Sequence, residues 1–239
     1  MNKHTSHIAH HACNSSLLTF LTCCVLLWIA EGYLLLSYPT DYLHLALQPQ
    51  HTPFSDTFFR YYSSFAEWLL YLFMLLPLAF KQWRLTISYA ITEGISALIV
   101  QIIKHSWNMP RPVTWFTEQY GNADMLQLVE GVRINAWHSF PSGHTATFFA
   151  FFTITVFLLC PTQHAKHKNL FEIIWGLSCF ILALTGGYSR IYLSQHFLLD
   201  VFVGSVIGTL SALFTLFLIR NISTKKLQNK PISTQDKEG

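Results

Sequence analysis

Residues 189–219 read SRIYLSQHFLLDVFVGSVIGTLSALFTLFLI, a polar and charged stretch that passes directly into a long apolar run. From Phe197 to Ile219 this run carries one ionisable residue, Asp200, and it exceeds the roughly 20 residues that a helix needs to cross a bilayer core. The polar residues before it would then lie where the helix meets the membrane surface. The stretch predicts a membrane helix with functional groups gathered at its N-terminal end.

Three side chains in this stretch have complementary chemistry. If the segment from about Gln195 onward is helical, the four-residue spacing places His196 and Asp200 one above the other on one face. A carboxylate on one ring nitrogen fixes the tautomer of an imidazole and leaves the other nitrogen free to attack or to take a proton. Arg190 carries a planar fork of donors that suits an oxyanion such as phosphate.

The composition of the whole chain is that of a membrane protein. Of its 239 residues, 51% are hydrophobic and 11% are charged, whereas soluble domains average about 25% charged. The net charge of +3 and the lack of a basic stripe argue against nucleic acid as a partner. The five cysteines fall in or beside apolar runs without the spacing of metal ligands, so they are interpreted as small buried hydrophobic residues.

Six apolar runs predict an all-α, polytopic fold with six transmembrane helices in one domain, residues 16–219. A short cytoplasmic N-terminus, 1–15, precedes this domain, and a basic tail, 220–239, follows it. The predicted helices are Ser16–Tyr38, Phe58–Phe80, Leu85–Ile103, Gly143–Cys160, Leu170–Gly186 and Phe197–Ile219.

The connections on one side of this frame are longer than those on the other. We expect a loop from Pro39 to Ser55, and we expect Pro110 and Pro112 to prevent regular helix after the third span. Within the long connection that follows, the spacing of apolar residues predicts a short surface helix over Asp124–Ile134.

The distribution of positive charge predicts the orientation. Of the 15 lysines and arginines, ten lie on the side of the termini and five on the other side, so we expect both termini in the cytoplasm. Three of the five outside cations, Lys104, Arg111 and Arg190, belong to sequence motifs at the outer ends of predicted helices. Cations placed against the charge bias favour a ligand-binding role.

Three motifs lie at the outer ends of the predicted helices. Residues 104–112 read KHSWNMPRP, residues 141–144 read PSGH, and residues 189–200 read SRIYLSQHFLLD. At the predicted start of the fourth helix, Ser142 and Gly143 would present unpaired backbone N–H groups and the positive end of the helix dipole to an anion. One pocket at the outer membrane surface could collect all three motifs.

In this order the three motifs resemble the signature of the type 2 phosphatidic acid phosphatase and haloperoxidase superfamily. Lys104, Arg111 and Pro112 match its first part, Pro141–His144 its second, and Ser189, Arg190, His196 and Asp200 its third. Each part alone is weak, whereas the three together, in order and within a six-helix frame, are strong.

The resemblance implies a mechanism that agrees with the chemistry of the residues. His196 would attack phosphorus and form a phosphohistidine, with Asp200 orienting its ring, and His144 would serve as the acid and then the base. Lys104, Arg111, Ser142, Gly143 and Arg190 would bind the phosphate oxygens. The resemblance implies no metal and no cofactor, and a metal at the His196–Asp200 pair is disfavoured because the surrounding cations would repel it.

The resulting hypothesis is a membrane lipid phosphatase whose partners are the bilayer and a phosphorylated lipid. An isoprenyl diphosphate such as undecaprenyl diphosphate, a phosphatidyl phosphate and a lipid A phosphate all remain open, and the sequence contains no signal for oligomeric state. The size and short loops favour a bacterial inner membrane with the site at the periplasmic face. The alternatives are a lipid phosphotransferase that uses the same phosphohistidine and a non-catalytic lipid binder or transporter.

Three glutamates, Glu31, Glu67 and Glu93, fall within predicted spans, where an ionised group is costly. They would form polar contacts between helices, lie in water near the helix ends, or act directly in function. The sequence leaves these three roles open.

Overall fold

The computed structural model describes residues 14–48, 50–70, 72, 75, 83–159 and 168–228, and within them the protein is helical without β-strands. These ranges contain eight α-helices, and a π-helical turn, Phe65–Leu69, directly follows the third. The helices are α1 Asn14–Ser37, α2 Thr40–Leu47, α3 Pro53–Ser64, α4 Trp83–Ser106, α5 Pro112–Tyr120, α6 Gly143–Leu158, α7 Lys168–Tyr192 and α8 Leu198–Gln228.

Four of the described helices are long and apolar enough to cross a membrane. They contain the segments Ser15–Ser37, Trp83–Ser106, Lys168–Tyr192 and Leu198–Asn221. α6 is equally apolar but, at 16 residues, shorter. Most of the predicted second helix beyond residue 70 lies outside the described residues, as do residues 1–13 and 229–239 of the predicted terminal segments.

Helix α6 forms the centre of the fold. It packs against α1, α4, α7 and α8, and most of its side chains are buried. An apolar surface on all sides is what a helix surrounded by other helices requires. The start of α6 is therefore held in place from several directions.

Glycines on α8 allow it to approach α6 closely. A Cβ atom at Gly204 would lie 2.6 Å from the carbonyl oxygen of Ser142, and one at Gly208 would lie 2.2 Å from that of Ala146. Neither position has room for a side chain. This close packing fixes the N-terminal ends of α6 and α8 beside each other.

Several prolines begin helices that the sequence did not predict. Pro39 is the N-cap of α2 and Pro53 is the first residue of α3, so the predicted loop from Pro39 to Ser55 was wrong over most of its length. Pro112 is likewise the first residue of α5, which corrects the expectation that Pro110 and Pro112 exclude regular helix. The first turn of a helix has no intrahelical use for the N–H that proline lacks, and the fixed φ of proline suits that position.

The predicted surface helix over Asp124–Ile134 was also wrong, because this segment is irregular. Its apolar residues face different clusters: Leu126 packs with Phe116 and Phe197, while Val129 packs with Tyr192 and Leu193. Gly131 adopts a positive φ of 76°, which a helix does not accept. The helix-like spacing therefore reflects two separate packing contacts of a loop.

Two further boundaries differ from the prediction. α7 continues to Tyr192, six residues beyond Gly186, so Arg190 lies in its last turn. α8 continues past Ile219 to Gln228, into the stretch predicted as a tail. Polar residues at a helix end interrupt the hydrophobic pattern without ending the backbone hydrogen bonds.

Candidate active site

The residues of the three motifs meet at one end of the helix bundle. Lys104 lies in the last turn of α4, Arg111 is the N-cap of α5, and Arg190 lies in the last turn of α7. His144 is in the first turn of α6 and Asp200 in the first turn of α8. The fold thus brings segments separated by almost a hundred residues to one site.

His196 and Asp200 form a buried pair. Nδ1 of His196 lies 3.3 Å from Oδ2 of Asp200, and the two residues are 1% and 3% exposed. His196 precedes α8 instead of lying within it, which corrects the expectation of a helical pair. The carboxylate reaches back over the start of α8, where its Oδ2 also accepts a hydrogen bond from the amide of Phe197 at 2.9 Å.

Ser139 adds a contact to this pair. Its hydroxyl donates to Oδ2 of Asp200 at 2.5 Å and lies 3.4 Å from Nδ1 of His196. With Nδ1 occupied by Asp200, Nε2 of His196 makes no hydrogen bond to any described residue. A ring oriented through one nitrogen presents the other to a reactant.

Three cations surround the histidine. Arg111 donates from Nε to the carbonyl oxygen of Trp137 at 3.2 Å and from Nη1 to Oε1 of Gln195 at 2.9 Å. Lys104 donates to the carbonyl oxygen of His138 at 3.1 Å, and Nη1 of Arg190 donates to the hydroxyl of Ser63. Backbone and neutral side-chain oxygens hold these groups, so their positive charge is not neutralised by these contacts.

The environment keeps His196 uncharged. Burial lowers the pKa of His196 well below its usual value, and the positive charges of Arg111, Arg190 and Lys104 lower it further, with a smaller contribution from His144. A neutral imidazole has the free electron pair that nucleophilic attack requires.

The start of α6 differs in one respect from the prediction. The amide of Ser142 is not unpaired, because it donates to the carbonyl oxygen of Asp200 at 3.0 Å. The hydroxyl of Ser142 caps the helix by accepting from Thr145. The amide of Gly143 makes no hydrogen bond within the described residues, so this N–H remains available to an anion.

Sequence reasoning missed four polar residues at the site. Gln195 holds Arg111, Ser139 holds Asp200, Ser63 contacts Arg190, and Oε1 of Glu67 lies 3.2 Å from Nε2 of His144. Each of these contacts joins residues from distant parts of the chain. The one available signal was the cost of a glutamate inside a predicted span, which drew attention to Glu67.

A cavity of about 170 Å³ adjoins His144. It lies between the π-helical turn, α4 and α6, and its polar lining includes Glu93, Ser96, Gln101 and Thr147. In the ranges that the structure covers, no three His, Cys, Asp or Glu side chains gather as a metal site would require.

Comparisons with known proteins agree with this architecture. The family model described as PAP2 superfamily matches residues 83–223. A lipid A 4'-phosphatase from Bacteroides thetaiotaomicron is 25% identical over 186 residues, which cover 76% of this chain and 77% of that protein. Phosphatidylglycerophosphatase B from Bacillus subtilis is 33% identical over 91 residues, covering 36% and 40% of the two chains.

A eukaryotic relative and a solved structure extend the comparison. The dihydrosphingosine 1-phosphate phosphatase YSR3 of Saccharomyces cerevisiae is 22% identical over 187 residues, or 75% of this chain but 42% of the yeast protein. The crystal structure of Aquifex aeolicus LpxE has a TM-score of 0.57 at 24% identity and covers 76% of this chain and 97% of that one. The likeness to that structure shows a shared fold.

Proposed function

This chain belongs to the PAP2 superfamily and is an integral membrane lipid phosphatase, and we propose that it works without a metal through a phosphohistidine on His196. The observation that carries the proposal is the buried His196, which is held by Asp200 and surrounded by Lys104, Arg111 and Arg190 in a setting that favours its neutral form. This combination offers a nucleophile and a set of oxyanion donors at one point.

In the first step, Nε2 of His196 attacks phosphorus in line with the bond to the lipid oxygen. The N–P bond forms as the P–O bond to the lipid breaks, and protonated His144 gives its proton to the departing oxygen. Asp200 stabilises the charge that the ring of His196 acquires. The lipid leaves as an alcohol, or as a lipid phosphate where the substrate is a diphosphate.

In the second step, water attacks the phosphohistidine. His144 takes a proton from the water, the N–P bond breaks, and inorganic phosphate leaves. Lys104, Arg111 and Arg190 stabilise the three equatorial oxygens in both steps, with the amide of Gly143 and the hydroxyl of Ser142 beside them. Preorganised positive charge is the principal catalytic device in phosphoryl transfer, which is why these residues suffice without a metal.

We propose that the substrate is a phosphate monoester or diphosphate at the outer face of a bacterial inner membrane. The names of the related proteins specify lipid A, dihydrosphingosine 1-phosphate and phosphatidylglycerol phosphate, which supports a lipid A phosphate or a phosphatidyl phosphate as the candidate substrate. An isoprenyl diphosphate remains a candidate from the sequence motifs alone. With six spans, as the sequence predicts, the site would lie on the side of the membrane opposite the termini.

The test is phosphate release in detergent with EDTA present. The panel contains lipid A, phosphatidic acid, phosphatidylglycerol phosphate and an isoprenyl diphosphate, and the native chain is compared with His196→Ala. We expect release from at least one lipid by the native chain and none by the variant. Acid-labile ³²P on the native protein, captured during turnover and absent from the variant, would support the intermediate.

Two results would contradict the proposal. Full activity in a folded His196→Ala protein would exclude His196 as the nucleophile, and complete inhibition by EDTA that added zinc or magnesium reverses would exclude metal independence. Labelled phosphate found on a second lipid instead of in solution would identify a phosphotransferase.

A further inference from the structure

Glu67 contacts the histidine that the proposed mechanism uses as its acid. Its Oε1 lies 3.2 Å from Nε2 of His144, a distance at which the ring N–H donates to the carboxylate. Glu67 belongs to the π-helical turn Phe65–Leu69. Such turns are rare in proteins as a whole, and those that occur are often found at functional sites. This turn precedes residues 83–223, which carry the three motifs.

The helix that ends in this turn makes a second contact with the site. Ser63, four residues before Glu67, is buried, and its hydroxyl accepts from Nη1 of Arg190. One helical turn therefore holds a member of the phosphate-binding set and the proposed acid together. A chance surface contact of Glu67 with His144 would not explain why Ser63, one turn earlier, also contacts the site.

The charges around His144 show what Glu67 supplies. Arg190 of α7 and Lys104 of α4 bring positive charge towards the ring, and His196 also interacts with it. Glu93 of α4 lines the adjoining cavity and binds the hydroxyl of Thr147. Among the described residues, Glu67 is the carboxylate hydrogen-bonded to His144, and a carboxylate in contact favours the protonated ring.

We propose that Glu67 is a positioning residue that holds His144 through Nε2 and favours its protonated form, which donates to the departing lipid oxygen. The inference rests on the proposed function and adds a residue outside the three motifs. The two histidines are then held alike: Asp200 binds His196 and leaves Nε2 for phosphorus, while Glu67 binds His144 and leaves Nδ1 for the leaving group.

The contact lies at the surface of the protein. The side chain of Glu67 is 58% exposed and that of His144 is 26% exposed. A lipid bound at this opening would exclude water and strengthen the attraction between carboxylate and imidazolium. The effect of Glu67 is therefore expected in turnover more than in folding.

The kinetic test is Glu67→Gln, which keeps the size of the side chain and removes its charge. On the lipid monoester that the native chain hydrolyses fastest, we expect kcat to fall about tenfold to a hundredfold. This is less than the roughly 10²- to 10⁴-fold loss of general acid catalysis itself, because His144 remains in place. The alkaline limb of the kcat profile should move to lower pH, because His144 would lose its proton more readily. KM and inhibition by vanadate, a phosphate mimic, should stay near native values.

A matched control is Glu31→Gln, which changes a buried glutamate on α1, a helix that carries none of the motif residues. It should leave kcat, its pH profile and vanadate inhibition unchanged. A native kcat and pH profile in Glu67→Gln would overturn the inference. So would a parallel loss of kcat and vanadate inhibition, because that result would mean a merely structural role.

A second measurement does not depend on turnover. The histidine ring signals of ¹³C-labelled protein in detergent are titrated by NMR, with His144→Gln used for assignment. We expect the midpoint of His144 to lie at lower pH in Glu67→Gln than in the native chain or Glu31→Gln. Equal midpoints would overturn the inference, whereas a native chain that releases no phosphate from any lipid would overturn the proposed function instead.

Discussion

His44 illustrates at the residue scale how the nucleophile's loop is supported. It is 1% exposed, its Nε2 lies 3.3 Å from the hydroxyl of Ser194, and its ring packs against Phe116 and Phe197. Ser194 has a positive φ of 50°, an uncommon conformation for a serine, two residues before His196. Such a conformation persists when neighbouring groups hold it.

Burial lowers the pKa of His44 to about 4, which predicts a pH dependence of stability. Between pH 4 and about 6.5, His44 binds a proton in the unfolded chain but stays neutral in the folded chain. The free energy of unfolding therefore falls as the pH falls through this window. The loss should reach about 2 kcal/mol at pH 5 relative to pH 7. His44→Gln should remove this part of the pH dependence of the free energy of unfolding.

The measurement is denaturant unfolding in detergent at pH 7 and pH 5 for the native chain and His44→Gln. His138, which is exposed, provides a control as His138→Gln and should keep the native pH dependence. If the free energy of unfolding fell by the same amount between pH 7 and pH 5 in the native chain and in His44→Gln, then His44 would not be buried in its neutral form.

Sequence reasoning reached some residues of the site and not others, for a physical reason. His196 and Asp200 were predicted as a pair because they lie four residues apart, and they do meet. Ser139 and Glu67 reach their partners across 61 and 77 residues of chain. Their contacts depend on how helices pack, which the local pattern does not encode.

At the scale of elements, the contact between α6 and α8 positions both histidines. Gly208 faces the backbone of α6, where a Cβ would lie 2.2 Å from the carbonyl oxygen of Ala146 and 2.8 Å from the amide of Ala150. Gly208→Ala must push the two helices apart. We expect a loss of about 1–3 kcal/mol in the free energy of unfolding, as for other overpacked sites, with reduced phosphatase activity.

Gly94→Ala on α4 is the matched control, because a Cβ there meets nothing within 4 Å. Alanine favours helix over glycine, so this variant should be as stable as the native chain or slightly more stable. Thermal unfolding and phosphate release of the two variants, measured side by side, decide the point. Equal thermal stability and equal phosphate release in Gly208→Ala and Gly94→Ala would mean that α6 and α8 do not pack as closely as described.

The elements themselves were predictable where they are apolar and long. α1, α4, α6, α7 and α8 all lie where apolar runs were found. α2 and α5 were missed, because short helices at a membrane surface carry too few apolar residues for periodicity to separate them from loops. The prolines at the start of these helices were interpreted as ending helical structure, whereas proline is favoured in the first turn of a helix.

At the scale of the molecule, the site is built where helix ends meet. α4 and α7 end there, α6 and α8 begin there, and α2 and α5 cover the same end. α4, α5, α6, α7 and α8 each contribute a residue at one of their ends, so the apolar middle of the bundle stabilises the fold while the polar ends carry the chemistry. The apolar runs show where the long helices lie but not which of their ends are neighbours.

The charge distribution then predicts which side of the membrane this end faces. In the predicted six-span topology, ten of the 15 lysines and arginines lie on the side of the termini, and positive residues are retained in the cytoplasm. We expect a cysteine introduced at Glu118, an exposed residue of α5, to react with a membrane-impermeant maleimide in intact cells. One introduced at Gly239 should react after the cells are permeabilised, and the native chain measures background from its own cysteines. Labelling at 239 but not at 118 in intact cells would place the site in the cytoplasm, where the substrate would have to be a lipid of the inner leaflet.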